Sequence, residues 1–109
     1  MIKPIALHIL LALSDRESHG YALMQAIRKQ SGGQLPVQTA SFYRHLGILM
    51  DDGLVAEAAR RPAGDDARRG AYYRITARGR ETLVTEKQQL ADLLAQLNGI
   101  PASPRKARA

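Results

Sequence analysis

The chain has no cysteine, which excludes a disulfide framework, a thiolate metal site and a cysteine nucleophile. It has no tryptophan, and its aromatic residues are four tyrosines and one phenylalanine, so an extensive aromatic sandwich for a flat ligand is not expected. No apolar run is long. The longest, Ile5–Leu13, is interrupted by His8 and falls far short of the ~20 residues a bilayer span needs. No small-residue cleavage site follows it, as a secretory leader would require, so no membrane partner is expected and the protein is read as cytoplasmic. Also missing are a nucleophile–base–oxyanion arrangement, a phosphate-cradling glycine loop and a dinucleotide fingerprint. Asp51 and Asp52 are neighbours on one helix and cannot face each other as an acid–base pair. No catalytic residue and no cofactor are expected. His8, His19 and His45 fall on three separate helices without ligand spacing, so no metal site is expected either; His19 is expected to order the entry to the second helix.

What the chain does have is positive charge: 16 Lys and Arg against 10 Asp and Glu give a net charge of +6. That balance favours a polyanionic partner, nucleic acid above all. With 109 residues there is room for one domain and an appendage.

The organising stretch is Thr39–Val55, TASFYRHLGILMDDGLV. Phe42, Leu46 and Leu49 recur at helical spacing and define a buried face. Ala40, Arg44 and Gly47 fall on the opposite side, with Tyr43 at its edge. Gln38 or Thr39 caps this helix, and Gly53 supplies the left-handed residue that ends it.

Before it, Pro4 suits the first turn of a helix over Ile5–Leu13 that is apolar almost all round. Such a helix must be buried on more than one side, which hints at a second subunit. Ser18 is read as the cap of a second helix, His19 to Gln30, burying Leu23, Met24 and Ile27 and closed by Ser31-Gly32-Gly33. Two helices joined by a short turn, the second with a cationic face, form a helix-turn-helix pattern.

After it, Leu54–Ala59 and Ala71–Thr76 read as two strands, with Tyr73 and Ile75 facing the core. Their connection, residues 60–70, is long for a hairpin and carries Arg60, Arg61, Arg68 and Arg69 in pairs at its two bases. Helix, helix, helix and a cationic two-stranded hairpin is the order of a winged helix. Thr76 then caps a final helix, Ala77 to about Leu97, ~30 Å long. Leu83, Leu90, Leu94 and Leu97 form a narrow stripe that Leu93 widens, and Lys87 lies within it and must snorkel or pair. Residues 99–109 read as a disordered basic tail. The expected organisation is therefore α+β, mainly α: a winged helix-turn-helix domain over 1–76, a C-terminal dimerisation helix over 77–98, and the tail.

Three segments together resemble the PadR family of bacterial transcriptional regulators across roughly Ile5–Leu97. They are LLALSDRESHGYALMQAI with its His19-Gly20-Tyr21, SFYRHLGILMDDGLV, and YYRITARGRETL with its glycine at Gly79. The resemblance implies a winged helix with a C-terminal dimerisation element, as in the short subgroup with one such helix. It also implies a homodimeric regulator, mostly a repressor, that leaves its operator on binding a small effector. The chain departs from the family where proline is common near the recognition tyrosine, carrying Thr39 and Arg44 instead.

Arg44 is the leading candidate for base reading, since arginine bonds guanine O6 and N7 bidentately. Gln38, Thr39 and Ser41 lie near the helix N-terminus, where phosphate is favoured, although capping alone would also explain them. Tyr43 is a candidate phosphate contact, or it is partly buried against the hairpin. The four wing arginines fit contact with backbone phosphates, or a solvated loop. Ile5 and Ile9 of the first helix and Leu83, Leu90, Leu93, Leu94 and Leu97 of the last are assigned to dimerisation. The effector would bind between the dimer helices and change the spacing of the two wings. Two other readings stay open: a nucleoid-type DNA-binding protein without operator or effector, and a winged-helix adaptor that binds protein rather than DNA.

Overall fold

The computed structural model describes residues 2–34, 37–58 and 71–102. Its elements are α1 (Pro4–Asp15), β1 (Ser18–His19), α2 (Gly20–Gln30), α3 (Thr39–Asp51), β2 (Val55–Glu57), β3 (Tyr72–Ile75) and α4 (Ala77–Leu97). The strands form one antiparallel sheet in the order β1-β3-β2.

The sheet has three strands rather than the two expected. Ser18 and His19 pair with Tyr73 and Tyr72 on the edge of β3 away from β2. His19, not Ser18, then caps α2, its Nδ1 accepting from the Ala22 N–H at 3.2 Å. The same imidazole meets the Tyr72 ring edge-on, with centroids 5.4 Å apart. This contact changes the inward set on β3: Tyr72 and Ile75 are buried, and Tyr73 is half-buried against the core. A strand flanked on both edges and covered on both faces does not follow simple alternation.

Other signals act as their chemistry dictates. Gly53 has φ +77°, and the chain ends α3 with Leu54 N–H on the Leu49 carbonyl (2.9 Å) and Gly53 N–H on the Met50 carbonyl (3.0 Å), a Schellman closure. Thr76 caps α4, its hydroxyl oxygen accepting from Gly79 N–H at 3.0 Å and its O–H donating to the Gly53 carbonyl at 2.7 Å. One side chain therefore joins the end of α3 to the start of α4. Gly79 permits that junction, because a β-carbon there would overlap the Leu54 carbonyl oxygen and lie 2.6 Å from Ile75 Cγ1.

The core lies where α1, α2, α3 and the sheet meet. It includes Ile9, Leu10, Leu13, Leu23, Ile27, Phe42, Leu46 and Val55. Ile5 and Ile9 belong to it, at 9% and 0% exposure. Both are already filled inside the protomer, which corrects their assignment to a surface between subunits. The side of α1 left open carries Leu7 and Leu11 instead, one turn apart.

Candidate nucleic-acid interface

The position of α3 is set at both ends. Arg28 of α2 donates from Nη2 to the Val37 carbonyl at 3.0 Å, two residues before the helix begins. At the far end the Schellman closure and Thr76 tie it to β2 and α4. Phe42, His45, Leu46 and Leu49 face inward, so Arg44 points away from the core and is exposed, with no ion-pair or hydrogen-bond partner among the described residues. Gly47 lies on the same face, three residues on, and a β-carbon built there would meet nothing within 4 Å. Mid-helix glycine costs ~1 kcal/mol relative to alanine, and nothing inside the protomer requires it.

Gln38 is the N-cap of α3, but its side chain makes no capping bond. The first-turn N–H groups that precede the Phe42 N–H to Gln38 carbonyl bond are therefore left to solvent or a ligand. Gln38 and Thr39 are exposed, and Ser41 is half-buried. Tyr43 is 44% exposed, edge-on to Phe42 at 5.0 Å. Its ring rests over the start of α2, where a β-carbon at Gly20 would overlap the Tyr43 hydroxyl. Burial, then the neighbouring Tyr43 and Glu57, hold the Tyr73 phenol above the usual tyrosine range. The predicted residues of α3 thus converge on one exposed surface. Arg60, Arg61, Arg68 and Arg69 lie outside the described residues, as does most of the predicted basic tail.

Tyr21, not selected from the sequence, is 63% exposed directly after Gly20, beside the ring of Tyr43. The His19-Gly20-Tyr21 motif was the available signal: its first residue caps, its second yields space and its third is left on the surface. Elsewhere, α4 buries only Gly79 and Glu86. Leu83 is half-buried, while Leu90, Leu93, Leu94 and Leu97 are 41%, 37%, 57% and 55% exposed. Leu7, Leu11, Leu83, Lys87 and Leu90 line a groove of about 380 Å³ between α1 and α4. Among the described residues no helix is long and apolar enough to cross a membrane, and no cluster of His, Asp and Glu could hold a metal ion.

The description of the transcriptional regulator PadR-like family matches residues 9–85. No curated protein matches. Among solved structures, a PadR family transcription regulator from Clostridium difficile superposes with TM-score 0.75 at 18% identity, over 89% of this chain and 97% of that one. A transcriptional regulator from Clostridium thermocellum gives TM-score 0.71 at 21% identity, over 87% and 90%. At these identities the likeness concerns the fold: the winged-helix arrangement of four helices around a small antiparallel sheet.

Proposed function

The chain belongs to the PadR-like family of transcriptional regulators, and from that premise we propose that it is a homodimeric, sequence-specific DNA-binding regulator, a repressor released by a small-molecule effector. The observation that carries the DNA reading is the outer face of α3. It offers an unpartnered Arg44 and, one turn on, a glycine whose missing side chain serves nothing inside the protomer. Together they suit a helix lying deep in the major groove with one guanidinium directed at a base edge. Thr39, Ser41 and Gln38 place the uncapped helix N-terminus against phosphate. Tyr43 and Tyr21 extend that contact along the backbone, and Arg60, Arg61, Arg68 and Arg69 follow it from the wing.

Dimerisation rests on α4. Its second half has every residue exposed from Lys87 onward, including four leucines on one side, and burying a leucine fully is worth ~1.5–3 kcal/mol. A two-fold axis along this helix lets each α4 cover the Leu7–Leu11 side of the other protomer. Lys87 reaches solvent past that seam. Two α3 helices then meet half-sites one DNA turn apart or a multiple of it. An effector acts by preferring one separation over another.

The test is binding of the protein to its own promoter region against random duplex at one salt concentration. The proposal expects clear preference for the promoter; equal affinities would leave a nucleoid-type role.

A further inference from the structure

Behind the reading face of α3, on the side away from Arg44, lies a groove of about 310 Å³ lined by Ile2, Lys3, Ala6, His45, Ile48, Leu49, Asp52 and Leu54. Its walls are mostly aliphatic, with Ala6, Leu49 and Leu54 buried and Ile48 46% exposed. Lys3 and Asp52, one of each sign, are exposed. The polar group set into these walls is the His45 imidazole, only 8% exposed. Its Nδ1 lies 2.8 Å from the Ser41 carbonyl. A carbonyl oxygen only accepts, so Nδ1 carries the proton in that bond, and the neutral ring presents Nε2 as a lone-pair acceptor. Nε2 has no partner among the described residues. A buried acceptor without a partner is costly and calls for a donor.

We infer that this groove is a binding site for a small, largely apolar molecule that carries one hydrogen-bond donor, chemically a phenol or a comparable alcohol, and gives that hydrogen to His45 Nε2. The volume is at the small end of ligand pockets and suits a single ring. Opposite charges at Lys3 and Asp52 give no preference for an anion or a cation, so a neutral ligand fits.

The location gives the site a consequence. One wall is α3 itself, through His45, Ile48, Leu49 and Asp52. The opposite wall is the N-terminal segment, whose Ile2 N–H donates to Glu86 Oε1 of α4 at 3.0 Å, a carboxylate 5% exposed. A ligand wedged there bears on the recognition helix and on the helix proposed to set the dimer. That consequence rests on the DNA-binding reading above, whereas occupancy of the groove does not.

The experiment titrates the full-length, ¹³C,¹⁵N-labelled protein with phenol and with benzene, without DNA, and follows the imidazole nitrogens and the isoleucine and leucine methyls. Expected are saturable phenol shifts at His45 Nε2, Ile2, Ile48 and Leu54, with benzene binding at least about tenfold more weakly. His45→Phe should remove the preference for phenol, and Ile48→Trp, which fills the groove from its exposed side, should block both probes. Equal binding of the two probes, shifts confined to the Leu7–Leu11–Leu90 groove, or no saturation would overturn the site. A second arm measures promoter affinity at saturating phenol. A change of severalfold supports the coupling to α3, and an unchanged affinity refutes that coupling while leaving the groove assignment standing. Failure of the protein to bind promoter DNA at all would count against the regulator reading alone.

Discussion

The hydroxyl of Tyr43, on α3, occupies the space that a β-carbon on Gly20, the first residue of α2, would need. The two helices of the helix-turn-helix are thus fitted at a point where one contributes an aromatic ring and the other contributes nothing. Gly20→Ala should push the Tyr43 ring outward, toward the surface that meets DNA. Tyr43 is already 44% exposed, so the ring can swing away at little cost, and the stability loss should stay within ~1 kcal/mol. Promoter affinity should fall more than stability does. Gly20→Ala combined with Tyr43→Phe should recover part of the loss, since the phenylalanine lacks the overlapping oxygen. A double-mutant cycle by fluorescence anisotropy and thermal melting checks both statements.

The same glycine-to-alanine change should have opposite signs at two other positions. At Gly47 a new β-carbon meets nothing in the protomer, so Gly47→Ala should stabilise the fold by up to ~1 kcal/mol through helix propensity. It should also weaken DNA binding, because the methyl stands where the groove floor comes closest. At Gly79 the new carbon overlaps the Leu54 carbonyl oxygen and crowds Ile75, so Gly79→Ala should destabilise by ~1–3 kcal/mol. Urea unfolding measures both, and stabilisation at Gly47 with undiminished DNA affinity would argue against deep seating of α3.

Much of this architecture was legible in the sequence because its signals are local. Gly53, Thr76 and the Phe42–Leu46–Leu49 spacing each act within a few residues of themselves, and each appears where read. The missed features depend on distant partners. β1 is two residues long and exists only because Tyr72 and Tyr73 arrive more than fifty positions later, so it leaves no periodicity to detect. His19 was expected to order the entry to α2, but its contact with Tyr72 was not foreseeable. Glu86 looks like a solvated helix residue until the N-terminal segment crosses over it. Ile5 and Ile9 were assigned outward because an all-apolar helix does not say which of its sides the protomer fills first. Of the site, the α3 face could be read from the pattern, while Tyr21 and the groove beside His45 depend on how helices pack.

The exposed leucines of α4 predict their own disruption. Leu90→Asp with Leu94→Asp alters side chains 41% and 57% exposed in the protomer, so each protomer should fold unchanged by circular dichroism. Sedimentation should then show monomers where the parent chain is a dimer. A dimer that survives both substitutions would rule out the α4 seam.

Alkaline stability should report on Tyr73. Burial, Tyr43 and Glu57 raise its pKa, so the folded state holds the phenolic proton more tightly than the unfolded chain does. The associated stability is fully present below the ordinary tyrosine pKa of ~10. It is lost as pH rises through the elevated folded value. Tyr73→Phe should therefore flatten the fall in melting temperature above about pH 10 relative to the parent. Equal slopes for the two proteins would contradict the assignment.

The central claim is that α3 reads bases through Arg44, and the measurement that tests it is the promoter-to-random affinity ratio of Arg44→Ala beside that of the parent, at one salt concentration. The parent ratio should reach about 10³ or more. Loss of one bidentate arginine contact, ~1–3 kcal/mol, should cut that ratio by about 5- to 150-fold while binding to random duplex changes far less. An Arg44→Ala protein that keeps the parent ratio would contradict the claim.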